Sequence, residues 1–186
     1  IGVLGRVLLG VSRSERLRNL VERAPISRNV VARFIAGAET DDAVRVTHEI
    51  VADGLTVTTD HLGEDTADRV QAEEAAAAYV ALLKGLNEAG LTSSAEVSVK
   101  LSAVGQALTG DGERIALDNA REICQAAADV GTTVTLDMED HTTTDSTLSI
   151  LDDLRTDFPS TGAVLQAYLH RTEGDCRRLA YAGSRV

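Results

Sequence analysis

Asp60, Lys100, Asp137 and Gln166 each close a short run rich in β-branched residues: LTVTTD (Leu55–Asp60), VSVK (Val97–Lys100), TVTLD (Thr133–Asp137) and VLQ (Val164–Gln166). A lysine in apolar surroundings is rarely left without a counter-charge, so Lys100 needs Asp60, Asp137 or a bound carboxylate. Its possible chemistry is substrate-anion binding or Schiff-base formation, and the plain alternative is a structural ion pair. Asp60, which opens DHLGED, could hold a cation, orient a second side chain, or merely cap a loop. Asp137-Met138-Glu139-Asp140-His141 is the densest polar cluster. Taken alone it suits a hard divalent cation, with His141 as a further ligand. Strand alternation weakens that reading, because Asp137 and Glu139 share a face while Asp140 and His141 have entered a loop. Gln166 is an amide in an apolar stretch, AVLQAYL. Its paired donor and acceptor suit the imide edge of a planar heterocycle, or a hydrogen bond to a neighbouring strand. Tyr168, His170 and Arg171 continue the same segment.

These residues need strands that end at one rim. The expected strands are Leu55–Thr59, Glu96–Lys100, Thr132–Asp137 and Ala163–Tyr168, with Ser184–Val186 opening a fifth. Helices are expected over 12–23, from Asp42 to Ala52, from Thr66 to Ala89, from Glu113 to Val130, from about Thr144 to Asp157, and from Glu173 to Tyr181. For the long alanine-rich helix the expected core face is Val70, Ala77, Val80, Ala81, Leu83 and Leu86. For the helix after it, the core face is Ile115, Leu117, Ala120, Ile123, Cys124 and Ala127.

Alternating strands and helices mean α/β with parallel crossovers. Short strands that each end in a polar group favour a barrel over a doubly wound sheet. No GxGxxG follows the first strand and no Walker loop occurs, so a Rossmann dinucleotide site has no support. A complete eightfold barrel needs about 250 residues. Four βα units and the start of a fifth are expected here. The reading is a TIM-like (βα)8 barrel of which about the first half is present. Residues 1–53 form an N-terminal helical arm and 54–186 the partial barrel.

The chain has 186 residues, 44% of them hydrophobic, with a formal net charge of −11. Residues 1–33 hold seven arginines against Glu15 and Glu22, and the rest is strongly acidic. The acidic body excludes non-specific nucleic-acid binding, and 3% aromatics offer no base-stacking platform. The basic start could touch an anionic membrane surface, although a helical arm packed on its own domain or on a partner subunit is favoured. No apolar run is long enough to span a bilayer. Cys124 and Cys176 form no disulfide framework and fit a reducing cytoplasm, with Cys124 expected as a buried free thiol. The expected location is cytoplasmic, with peripheral contact at the inner face of the membrane left open.

In order and spacing, TTDHLGED, EVSVKLSAVG, VTLDMED and VLQAYLHRT are similar to the proline dehydrogenases of the monofunctional bacterial type. The resemblance runs from FIAGAETDDAV to the end of the chain. It implies a distorted (βα)8 barrel that binds FAD without a Rossmann fold. It also implies oxidation of L-proline to Δ1-pyrroline-5-carboxylate, the first step of proline catabolism, by hydride transfer to flavin N5, with a quinone reoxidising the flavin. By the same resemblance, Lys100 pairs with the proline carboxylate and Asp60 fixes Lys100. Asp137 is the active-site carboxylate, Met138 lies against the flavin, and Gln166 bonds the isoalloxazine. No metal is implied. The family's next motif, a strand bearing an arginine near flavin N5, would begin at or after Val186, so Arg185 is not given that role. The later strands are expected to be missing, and the 186-residue piece alone is expected to be inactive and to bind FAD weakly or not at all.

Two other readings remain at this level. One is a metal-dependent barrel lyase or aldolase, with Asp60, Asp137, Glu139 and His141 around a cation and Lys100 as base or Schiff-base former. The other is a non-catalytic fragment that acts in binding or assembly.

Overall fold

The computed structural model describes residues 35–63, 66–181 and 183–186. The helix expected over 12–23 lies outside them. Residues Ala43–Val186 form one compact unit. In chain order the described elements are α1 (Thr40–Ala52), β1 (Val57–Asp60), α2 (Arg69–Glu88), β2 (Ala95–Val99), α3 (Gly112–Asp129), β3 (Val134–Leu136), α4 (Thr144–Asp157), β4 (Gly162–Ala163) and α5 (Thr172–Leu179).

All strand pairs are parallel, and the sheet order is β1-β2-β3-β4. A doubly wound sheet reverses its strand order at a switch point. Here each helix carries the chain onward to the next neighbour without reversal. That is the progression of a β/α barrel, so the fold is the opening half of the TIM-like architecture expected from the sequence. The segment after α5 continues it, because the Ala163 N–H donates to the Arg185 carbonyl at 3.2 Å. β4 is shorter than expected. Beyond Ala163 the chain keeps one ladder bond, Val164 N–H to the Leu136 carbonyl at 2.9 Å, and then turns at Leu169.

The period of two along each strand separates two faces. Ala95, Val97 and Val99 of β2, Val134 and Leu136 of β3, and Ala163 of β4 are buried against the helices. Complete burial of a side chain such as Val97 or Leu136 contributes about 1.5–3 kcal/mol. The opposite face carries Thr58, Asp60, Glu96, Ser98, Thr133 and Thr135, which the register sets side by side.

Two sequence expectations are corrected. The α2 helix starts at Arg69, not Thr66. Asp68 is the cap, its side chain accepting from the Gln71 N–H at 3.0 Å, whereas the Thr66 hydroxyl donates away to the Ala103 carbonyl at 2.6 Å. The α2 core stripe is Ala72, Ala76, Tyr79, Leu82, Leu83 and Leu86, while Val70 is 62% exposed. Alanine tolerates either face of a helix, so the large residues set the phase, and Tyr79 had not been counted among them. In α3 the expected face holds, with Leu117 only partly buried. Cys124 is a buried free thiol whose pKa burial pushes up to about 11. At Gly105, φ is +118° and a Cβ would come within 2.7 Å of the Ile115 side chain, so glycine is required where the β2–α3 loop meets α3.

Candidate active site

Asp60 is the last residue of β1, Lys100 follows β2 and Asp137 follows β3. The register brings Asp60 level with Ser98, and Val99 level with Leu136, so all three charged residues leave the sheet at the same edge. This is the C-terminal edge, where β/α barrels keep their chemistry.

The Lys100 Nζ donates to Asp60 Oδ2 and lies 3.9 Å from Asp137 Oδ2. All three side chains are partly buried. Of the partners expected for the lysine, the structure supplies both protein carboxylates, with Asp60 the nearer. The other Asp60 oxygen, Oδ1, accepts from the Tyr79 hydroxyl at 2.9 Å, and the Tyr79 oxygen accepts from the His61 N–H at 3.2 Å. Burial, reinforced by the charge of Asp60, raises the Tyr79 phenol far above its ordinary pKa, so it stays a proton donor. The His61 ring meets the Tyr79 ring edge-on, with centroids 5.8 Å apart.

Asp137 is anchored on its other side. Its Oδ1 accepts from the Ser98 hydroxyl at 2.7 Å, and its N–H donates to the Val99 carbonyl at 2.9 Å. The remaining polar residues of the 137–141 cluster turn elsewhere. Both carboxylate oxygens of Glu139 accept from Ser102, one from its N–H at 3.0 Å and one from its hydroxyl at 2.6 Å. Asp140 accepts from the N–H and the hydroxyl of Thr142, which closes a turn. His141 is exposed beside Asp140 at 3.3 Å. Among the described residues no three His, Cys, Asp or Glu side chains converge. The cation site that the bare sequence suggested is therefore not assembled by this cluster.

Gln166 is partly buried beside the same edge. Its Nε2 donates to the carbonyls of Glu139 at 2.8 Å and Met138 at 3.2 Å. Among the described residues its Oε1 is buried with no hydrogen-bond partner. Met138 is 7% exposed and its side chain belongs to the core. Arg171 is engaged by Asp175 at 2.7 Å and Asp145 at 2.6 Å, which ties α5 to the start of α4, and Tyr168 is 73% exposed at the rim.

A second polar cluster lies lower on the same sheet face, toward the N-terminal strand ends. Glu96 Oε2 accepts from Arg185 Nη2 at 2.6 Å and from the Thr133 hydroxyl at 2.7 Å. Its Oε1 accepts from Thr58 and Thr135, both at 3.3 Å. Burial alone would raise the Glu96 pKa, but the bonds from Thr133 and Arg185 outweigh it and hold the carboxyl below its ordinary value. Arg185 also donates to the Thr133 hydroxyl at 2.6 Å and to the Ser160 carbonyl at 3.3 Å. Sequence patterning alone assigns no role to Glu96 or Tyr79. Alternation with Ser98 and Lys100 places Glu96 on the inner face, and the spacing Ala72, Ala76, Tyr79, Leu83, Leu86 marks Tyr79 as inward.

The family model described as proline dehydrogenase matches residues 43–185. Proline dehydrogenase of Deinococcus radiodurans is 37% identical over 149 residues, which cover 79% of this chain and 47% of that protein. Proline dehydrogenase 1 of Bacillus subtilis strain 168 is 33% identical over 177 residues, covering 95% of this chain and 57% of that protein. The chain thus spans about half the length of the curated relatives it matches. Among solved structures, proline utilization A (PutA) from Bdellovibrio bacteriovorus inactivated by N-propargylglycine superposes with a TM-score of 0.73 at 25% identity, over 82% of this chain and 18% of that one. PutA from Corynebacterium freiburgense gives a TM-score of 0.69 at 23% identity, over 89% of this chain and 19% of that one, and bears on the fold alone.

Proposed function

This chain belongs to the proline dehydrogenase family, and from that premise we propose that its site serves the FAD-dependent oxidation of L-proline to Δ1-pyrroline-5-carboxylate, with a quinone as the final electron acceptor. One observation carries the reading. A single ammonium, Lys100, lies between two carboxylates at the C-terminal ends of three adjacent parallel strands.

L-Proline is a zwitterion, so its carboxylate needs a cationic partner, and charge-assisted hydrogen bonds are the strong ones. Lys100 is that partner. Asp60 orients it from behind, and Ser98 holds Asp137 so that one oxygen remains turned toward Lys100. Asp137 is the active-site carboxylate. It lies beside the bound amino acid, where its charge meets the ring nitrogen. Hydride departs most readily from the ring carbon next to a neutral amine; a carboxylate at the ring nitrogen favours the ammonium, so its proton must be taken up, by Asp137 or by water, before the transfer.

The flavin is assigned to Gln166; Met138, expected against the flavin, packs its side chain in the core and offers this site its carbonyl, which holds Gln166. The fit rests on the donor set: Gln166 is fixed through its NH2 by two backbone carbonyls, and its Oε1 is left as an acceptor for an imide N–H. FAD, when bound, supplies the two-electron acceptor, and the protein supplies position and electrostatics. A metal-dependent lyase is not favoured, because Glu139 is engaged by Ser102, Asp140 by Thr142, and His141 is exposed beside Asp140.

No helix among the described residues is long and apolar enough to cross a membrane. A quinone acceptor would be met at a membrane surface, and the basic segment 6–33 has the charge to suit an anionic one if it is not packed on the protein itself. The test is the visible spectrum of the complete protein before and after anaerobic addition of L-proline. A flavin band that bleaches with proline supports the reading. A protein without flavin, or a band indifferent to proline, removes it.

A further inference from the structure

We propose that Tyr79 is a positioning residue for this site: through Asp60 it holds the Lys100 ammonium where the substrate carboxylate is received. The proposal deepens the function given above and rests on it.

Tyr79 is fully buried on α2, and its hydroxyl reaches the end of β1. The direction of its hydrogen bonds is fixed. Its oxygen accepts from the His61 N–H at 3.2 Å, so its single proton is left for Asp60 Oδ1 at 2.9 Å. Asp60 then accepts at both oxygens, from Tyr79 on one and from Lys100 on the other. To swing away, Asp60 would strand a buried phenol, which costs the full desolvation of that group.

Among the described residues, Asp60 and Asp137 are carboxylates that face Lys100. Tyr79 binds one of them and not the other. It therefore biases the lysine toward β1. Without the hydroxyl, Asp60 turns and its hold on Lys100 loosens, so the ammonium is no longer fixed where the substrate carboxylate arrives. Phenylalanine would fill the same volume against Ala76 and Leu83, so packing alone does not call for the hydroxyl.

The test is Tyr79→Phe in the complete protein. The expected result is a KM for L-proline raised about tenfold, the size of one hydrogen bond to a charged group, with kcat little changed. A second readout needs no turnover. Lys84 and Lys100 are the two lysines of this chain, and Lys84 is exposed on α2. Brief acetylation with acetic anhydride, read by peptide mass spectrometry, gives the labelling ratio of Lys100 to Lys84. Tyr79→Phe should raise that ratio severalfold, because the lysine loses its fixed partner.

An unchanged labelling ratio overturns the proposal, whatever happens to the melting temperature. An unchanged KM, in an enzyme whose flavin proline still bleaches, overturns it too. If proline fails to bleach the wild-type protein, the functional reading falls, and the labelling ratio alone decides whether Tyr79 holds Lys100.

Discussion

Near the N-terminal strand ends, Glu96 accepts from three threonines and Arg185. Further along the strands, at their C-terminal ends, Asp60 and Asp137 share Lys100. The two tiers occupy one sheet face and draw on the same chemical types. In the lower tier one anion meets one cation, and four hydrogen bonds saturate the carboxylate. In the upper tier two anions meet one cation, and a nearby amide oxygen is left without a partner among the described residues. Saturated polar networks rigidify a structure, whereas a buried polar atom left without a partner is costly until a ligand group satisfies it. The lower tier is therefore read as the part that ties Arg185 and its segment to β2, and the upper tier as the part that does chemistry.

Substitutions separate the tiers. The largest effect is expected for Lys100→Gln, which removes the charge and keeps most of the stem. Loss of one partner of a hydrogen-bonded charge pair costs about 3 kcal/mol, so kcat/KM for L-proline should fall about a hundredfold. Thermal unfolding should show no comparable loss, and a large drop in melting temperature with intact activity would reverse the assignment of the tiers. Next comes Glu96→Ala in the lower tier. It strands Arg185 and three hydroxyls, and a loss of about 2 kcal/mol in denaturant unfolding is expected, with kcat/KM within about threefold of wild type. Ser98→Ala frees one oxygen of Asp137 and should cost about 1 kcal/mol in kcat/KM, roughly fivefold.

The smallest effect is an acid limb. The Glu96 carboxyl titrates below its ordinary value in the fold, so its stabilising contribution is complete above that ordinary value. It is lost as the pH falls through the lower folded value. Stability of wild type should therefore drop more steeply in acid than that of Glu96→Gln. Superimposable acid limbs would mean that the Glu96–Arg185 pair contributes nothing.

Much of the upper tier was legible in the sequence because it obeys local rules. A β-branched run that ends in a charge places that charge at a strand end, and three such runs in succession set Asp60, Lys100 and Asp137 at one edge, whereas Gln166 lies beyond the end of β4 at Ala163. The strand order settled what periodicity could not, since barrels and doubly wound sheets share the same alternation of elements. The rest depends on partners far apart in the chain. Glu139 reaches Ser102 across 37 positions and Arg185 reaches Glu96 across 89, and no spacing rule announces either pair. Tyr79 was hidden for another reason. In an alanine-rich helix either side reads as apolar, and Val70, one of the residues expected on the core face, lies outward in the first turn. The Asp137–His141 run misled in the opposite way. Its residues adjoin in sequence, but a turn closed by Asp140 sends them to different partners.

The central claim is that Lys100, held between Asp60 and Asp137, receives the carboxylate of the amino-acid substrate. The most direct test is a crystal structure of the complete protein with a five-membered-ring carboxylate that lacks the ring nitrogen and so cannot be oxidised as an amine. A carboxylate oxygen about 2.7–2.9 Å from the Lys100 Nζ, at the C-terminal strand edge, is the predicted result. A ligand bound with its carboxylate on other residues, and Lys100 still closed between its two aspartates, would contradict the account.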